Sequence, residues 1–184
     1  MQNVVVKDGI KLTGPLHAPP TREELSMDLK GEYRLPARRE AVWAALNDTD
    51  VLRDCIPGCQ SLEMTGENEM AATVVTKIGP VKAKFEGQVR LENIEAPQSY
   101  SIVGEGKGGI AGFAKGGADV HLAEDGDETI LTYDVKAQVG GKIAQLGGRL
   151  IDSTAKKLAG QFFDCFAEKV SGGASSAEGT TEAV

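Results

Sequence analysis

Gly140 to Val170 reads GGKIAQLGGRLIDSTAKKLAGQFFDCFAEKV. Within it Ile143, Leu146, Leu150, Thr154, Leu158, Phe162 and Phe166 recur at steps of three and four. Residues so spaced share one face of an α-helix, because about 3.6 residues make a turn. Arg149, Asp152, Lys156, Lys157, Asp164, Glu168 and Lys169 fall mostly elsewhere, as an amphipathic helix requires. The spacing predicts one helix over 140–170, ~45 Å long at ~1.5 Å per residue. A lone helix of that length needs a broad apolar surface to lie on.

The preceding chain supplies that surface. From Met27 to Leu35, Leu29, Gly31, Tyr33 and Leu35 alternate with Asp28, Lys30, Glu32 and Arg34, the signature of a half-buried strand. Pro36 closes it. ARREAVWAALND then reads as a short helix with Val42, Ala45 and Leu46 on one face and Trp43 near its edge. A second helical piece runs from Asp50 to Cys55, before the turn Pro57-Gly58. Six strand-like stretches follow: CQSLEMTG, MAATVVTKI, VKAKFEGQVRLENI, SYSIVGEG, GFAKGGADVHLAE and ETILTYDVKAQV. Connections this short make neighbouring strands antiparallel. The order predicts an α+β domain: a seven-stranded curved antiparallel sheet around a long C-terminal helix, with two short helices after the first strand. The domain is placed at 27–170. Residues 1–26, with a Pro-rich connector, read as a poorly ordered leader, and 171–184, SGGASSAEGTTEAV, as a disordered tail.

A sheet wrapped around one helix leaves space that side chains do not always fill. Gly87, Gly104, Gly106, Gly116 and Gly117 lie in or beside strands, where glycine permits a sharp bend or a close approach. The expected inward set is Val74, Ile78, Phe85, Val89, Ile102, Val120, Leu131, Tyr133 and Val135. Either these line a pocket or they pack into a solid core.

Composition excludes other classes. The chain has 184 residues and a net charge of −7, with a pI near 4.9. A nucleic-acid binder needs a basic surface to neutralise phosphates, and wholesale attraction to anionic lipid is equally disfavoured. No apolar run approaches the ~20 residues of a membrane span, and no secretory signal is visible. Cys55, Cys59 and Cys165 are an odd number of cysteines, which reads as structural thiols in a cytoplasmic protein rather than a disulfide framework.

Motifs that could carry chemistry are few. Cys55 and Cys59 lack further ligands at zinc-site spacing, and no metal site is expected. Gly104-x-Gly106-x-x-Gly109 matches the dinucleotide fingerprint as text, but the fingerprint works only where a helix follows. Here a strand follows, so the segment reads as a hairpin gating the pocket. Asp119 and His121 share a strand face and could serve as acid and base, yet Val120 and Leu122 occupy the better core face. No catalytic residues are expected. Tyr33, Tyr100 and Tyr133 are the polar handles nearest the pocket.

MDLKGEYRLPARREAVWAALNDTDVLRDCIPGCQSLE carries a family resemblance, above all Val42 to Asp48, Leu52, and Cys55-Ile56-Pro57-Gly58-Cys59. So does Gly104 to Gly109 with Phe113 to Gly116. The chain resembles the helix-grip superfamily of START lipid-transfer domains and polyketide cyclases, and within it the G-subunit family of carbon monoxide dehydrogenase. The resemblance implies a non-enzymatic accessory protein of a molybdenum hydroxylase-type dehydrogenase. It also implies a bound quinone or lipid rather than a true cofactor, and a location at the inner face of the plasma membrane through peripheral contact. The tail SGGASSAEGTTEAV has no apolar face, so tethering is not expected from it. Alternatives on the same fold are a cyclase- or hydrolase-type enzyme and a ligand-free assembly factor. In the carrier reading the ligand enters between the glycine-rich hairpin, the Pro57-Gly58 turn and the long helix. Leu52, Ile56, Pro57, Phe113, Ile143, Leu146 and Leu150 then join Val74, Ile78, Phe85, Val89, Ile102, Tyr133 and Val135 as ligand-binding residues.

Overall fold

The computed structural model describes residues 24–182. Strand β1 spans Glu24–Leu35, helix α1 Arg39–Leu46 and helix α2 Thr49–Cys55. Strands β2 to β7 follow as Cys59–Gly66, Glu69–Ile78, Val81–Glu95, Ser99–Lys107, Phe113–Asp125 and Glu128–Gly140. Helix α3 runs Gly148–Glu182. The seven strands form one antiparallel sheet in the order β1-β7-β6-β5-β4-β3-β2, the seven-strand α+β arrangement that the alternation predicts.

Register fixes which residues share the inner face. Val74 pairs with Phe85, Gly87 with Gly106, Gly104 with Gly116, and Tyr133 with Gly31. Since side chains alternate along each strand, Leu29, Tyr33, Leu35, Phe85, Tyr100, Val120, Leu131 and Val139 all face α3. The two short helices cap one end of this trough. Asp48 accepts hydrogen bonds from the backbone N–H of Asp50 at 2.9 Å and of Val51 at 3.4 Å, satisfying the orphan donors of α2. Buried Thr129 donates to the carbonyl of Ala37 at 2.7 Å, tying the entry to α1 onto β7.

Four expectations need correction. The segment 140–170 is not one helix. Gly141–Leu146 forms a tight 3₁₀ turn, and the chain breaks at Gly147, whose φ of +93° suits glycine far better than any side chain. Nothing lies within 4 Å of a Cβ placed at Gly147 or Gly148, so the pair serves a bend rather than a close approach. The buried face of α3 keeps Phe166 of that stripe and widens to residues one position along from its other members. Ile151, Phe163, Phe166 and Val170 are buried, whereas Leu150, Thr154, Leu158 and Phe162 are half-buried. At the other end of the helix, the backbone is helical through Glu182, where the composition predicts a disordered tail. Adding residues to an existing helix avoids the cost of a new nucleus. The domain also begins earlier than Met27, since Glu24, Leu25 and Ser26 pair with Gly140, Val139 and Gln138. The rest of the leader, 1–23, lies outside the described residues.

The fourth correction concerns the cysteines. Cys55 and Cys165 form a disulfide between α2 and α3, 110 positions apart in sequence with Cα atoms 5.3 Å apart. An odd count and wide spacing conceal such a pair, because only helix packing brings the two together. The odd cysteine is Cys59, half-buried, with its thiol 3.3 Å from the carbonyl of Ser61. Burial pushes that thiol above its ordinary pKa. The bond removes the ground on which the cysteines pointed to a reducing compartment. Beside it, Lys169 pairs with Asp54 at 2.9 Å, so α2 is fastened to α3 twice.

Candidate functional site

The inner face holds two apolar clusters. One lies under α1 and the C-terminal half of α3, where Leu35, Val42, Leu46, Tyr100, Leu131, Phe163 and Phe166 pack together. The rings of Tyr33 and Phe163 stack with centroids 4.1 Å apart, and Trp43 meets Tyr100 edge-on at 5.4 Å. Burial drives the Tyr100 hydroxyl well above its ordinary pKa. Tyr133 is raised too, by burial first and by neighbouring Tyr33 second. This half is filled by large rings and branched chains.

The other cluster centres on Ala111, Val139, Ile143, Ala144 and Ile151, and it is hollow. A cavity of about 310 Å³ lies among Met27, Val74, Ile78, Phe85, Gly106, Ala114, Val139, Ile143, Ile151, Thr154, Ala155 and Leu158. Its lining has no charged side chain, and Thr154 supplies the only side-chain hydroxyl. Small residues make the room. A Cβ at Gly106 would meet no side chain within 4 Å, and Ala114 and Ala155 present one methyl each. Such a surface cannot hold a metal or a phosphate, and it offers no proton donor or acceptor other than that hydroxyl. It can exclude water from an apolar molecule.

Of the residues expected to touch ligand, Val74, Ile78, Phe85 and Ile143 line this cavity. Ten others lie outside its lining. Ile102 and Tyr133 pack against the solid cluster. Val135 sits half-buried on the inner face opposite Leu29 and Ala118. Leu146 is half-buried in the 3₁₀ turn. A Cβ at Gly79 would come 2.7 Å from Leu150, so that leucine covers the β3–β4 turn. The ring of Phe113 lies over Gly140. Val89 borders a larger depression, about 660 Å³, on the outer sheet face among Glu69, Gln88, Arg90, Val103 and Glu105. The chain at Pro57-Gly58 is not part of the cavity lining. The Val75 amide donates to the Gly58 carbonyl at 2.9 Å, which stitches the turn to β3, and Pro57 borders a neighbouring depression that shares Thr154 and Leu158 with the cavity. Leu52 and Ile56 stay with α2 and its end, half-buried.

Reading the sequence missed Met27, Gly106, Ala114, Val139, Ile151, Thr154, Ala155 and Leu158 as lining. Alternation could have placed Met27, Ala114 and Val139 on the inner face. Nothing local distinguishes an alanine that leaves a hole from one that is covered.

The other motifs take no part. Asp119 and His121 are exposed on the outer face, and Asp119 accepts from the Ser101 hydroxyl at 2.7 Å. Gly104 and Gly106 lie within β5, and the loop Gly108–Gly112, with a single 3₁₀ turn at Gly109–Ala111, joins it to β6, so no α-helix N-terminus faces them. Among the described residues no three His, Cys, Asp or Glu side chains gather as a metal site. No helix among them is long and apolar enough to cross a membrane.

A long C-terminal helix gripped by a curved seven-stranded antiparallel sheet, with a cavity between them, defines a helix-grip protein of the START type. Residues 31–171 match the carbon monoxide dehydrogenase G-subunit (CoxG) family, and the chain belongs to that family. A crystal structure of a conserved protein from Geobacillus kaustophilus is 33% identical, with a TM-score of 0.75, covering 79% of this chain and 95% of that one. A START superfamily protein from Mycobacterium smegmatis is 13% identical over 78% of this chain and 97% of that one, TM-score 0.61. The Zhui aromatase/cyclase from Streptomyces sp. R1128 is 11% identical over 80% and 94%, TM-score 0.58. The last two share the fold. No curated protein matches the chain.

Proposed function

We propose that the protein is a non-enzymatic carrier. It holds a quinone or lipid-like molecule in the cavity and links a molybdenum-containing carbon monoxide dehydrogenase-type enzyme to the membrane or electron acceptor. The observation that carries this reading is the lining: twelve residues, none of them charged, between a sheet and a helix that elsewhere pack solidly. At ~25 cal/mol per Å² of apolar area, burying about 150 Å² of a ligand supplies about 4 kcal/mol. A volume near 310 Å³ is at the small end of small-molecule sites, roughly 300–1,000 Å³. It suits a ring or a short chain segment, with any longer tail left outside. The dehydrogenase partner follows from family membership alone.

The test is native mass spectrometry of the protein purified from a quinone-containing host, followed by titration of the emptied protein with a short-chain quinone. The expected result is a bound apolar molecule whose rebinding is lost in Ala155→Phe. A protein that is empty on purification and also fails to bind in titration would overturn the carrier reading. Retention of a molybdenum hydroxylase by the blocked variant would then favour a ligand-free assembly factor.

A further inference from the structure

The apolar cavity has a polar neighbour. Along one side of α3 the helix faces the part of β3 that runs past the end of β2. The β2–β3 ladder stops at Cys59 and Val74, and the Gly58 carbonyl takes the Val75 amide at 2.9 Å. In an antiparallel ladder the N–H and C=O of alternate residues point to the same side. Those of Lys77 therefore point away from β4, as those of Val75 do, and β2 does not reach them. A depression of about 390 Å³ occupies this seam, with Thr76, Lys77, Lys157 and Gln161 in its lining. Thr154 and Leu158 line both the depression and the cavity, so the two spaces adjoin at one turn of α3. The seam is closed on either side of that junction. A Cβ at Gly79 would come 2.7 Å from Leu150, and a Cβ at Gly58 would strike the Val75 carbonyl oxygen.

The chemistry of the two spaces is complementary. The cavity lining carries no charge. The depression carries Lys77 and Lys157, and no acidic side chain lines it. On α3 the residues three and four positions from Lys157 are Ser153, Thr154, Gly160 and Gln161, so no carboxylate stands at ion-pair spacing. Among the described residues neither lysine forms an ion pair. Thr76 shares its strand face with Val74 and Ile78, which places a second hydroxyl beside that of Thr154. A carboxylate held wholly inside the cavity would lose its hydration and gain one hydroxyl, a large net cost. In the depression the same group meets ammonium, amide and edge N–H donors while water still reaches it, and charge-assisted hydrogen bonds are the stronger kind. A neutral ring offers no charge to set against the two lysines.

We propose that the depression is a head-group subsite of the cavity, and that the ligand is a single-chain amphiphile ending in a carboxylate. Its tail lies among Val74, Ile78 and Ile151, its chain passes Thr154 and Leu158, and its head rests between Lys157 and Lys77. The inference deepens the carrier reading and rests on it, since it names the class of lipid-like molecule that the cavity takes.

The test is calorimetric titration of the full chain with decanoate, with decanol and with a short-chain quinone, each below its aggregation limit. Decanoate is expected to bind more tightly than decanol at low salt, and the difference should shrink as salt screens the lysines. Lys77→Gln with Lys157→Gln should weaken decanoate about tenfold, two exposed charge contacts being worth roughly that, and leave decanol within about twofold. Thermal melting should be unchanged, because both lysines are exposed. Lys156→Gln removes the same charge one position away, outside both linings, and should leave decanoate within about twofold. Ala155→Phe, which fills the cavity, should abolish binding of decanoate and decanol alike. Decanoate that binds no more tightly than decanol, or that ignores the Lys77 and Lys157 changes, would overturn the head-group subsite. Decanoate binding that survives Ala155→Phe would overturn it too, since the head would then bind without its tail in the cavity. Quinone and decanol uptake without decanoate uptake loses the subsite and keeps the carrier, whereas a protein that takes up none of the three loses both.

Discussion

One sheet and one helix build both halves of the grip, yet the halves are packed differently. Under α1, side chains of β1, β5, β6 and β7 meet Phe163 and Phe166, and Phe166, Leu35, Leu131 and Val42 are almost wholly buried. Under the first turns of α3, Gly106, Ala114 and Ala155 face one another across about 310 Å³. The difference lies in what covers the trough. Two short helices inserted between β1 and β2 supply extra apolar volume at one end. The other end has only a 3₁₀ turn and the start of α3. One half thus provides stability and leaves the other able to stay open.

The comparison breaks most visibly at Phe166. Phe166→Ala should cost about 3–5 kcal/mol, read as a lower denaturation midpoint, with ligand uptake in the other half preserved in the folded fraction. A cost below about 1 kcal/mol would mean that the filled half is not the stabilising one. Next is the Cys55–Cys165 bond, which closes a loop of 110 positions at the filled end. Replacing both cysteines by alanine should cost about 2–4 kcal/mol, and reductant should shift the melting of the parent but not of the variant.

Adding volume sharpens the contrast. Ala155→Phe, into the hollow half, should change stability by less than about 1 kcal/mol, whereas Ala37→Phe in the filled half should cost about 1–3 kcal/mol. Equal penalties would show that the hollow half is not hollow. The smallest effect is electrostatic. Lys169 holds the Asp54 carboxyl below its ordinary range, chiefly by its hydrogen bond and then by its charge. A carboxylate depressed in the fold contributes stability that is present above its unfolded pKa and lost as pH falls through the folded one. Asp54→Asn should therefore flatten the acid side of the stability profile slightly and leave neutral pH nearly unchanged, because the pair is solvent-exposed.

Much of the fold was legible in local pattern. Alternation in β1 and β4 and the short connections between strands placed a seven-stranded antiparallel sheet, and the steps of three and four from Ile143 placed a long helix, though begun before the break at Gly147. The candidate site was legible only in part. Val74, Ile78, Phe85 and Ile143 were found because apolar residues on an inner face must point toward whatever the sheet covers. Leu52, Ile56 and Pro57 were expected to touch ligand and lie outside the lining, Pro57 in a depression that adjoins the cavity at Thr154 and Leu158. Ile102 and Tyr133 were expected beside ligand and instead border the cluster that α1 fills.

What the chain by itself determined are properties of short range: strand faces set by a period of two, turns set by Gly and Pro, and a helix stripe set by its period. Family likeness added the fold. Tertiary structure alone decided where the helix breaks, which cysteines meet and which end of the grip stays empty. Each of these depends on volumes and distances between residues far apart in sequence. A cavity in particular is the absence of side chains, summed over six strands, a 3₁₀ turn and a helix, and no single stretch records it.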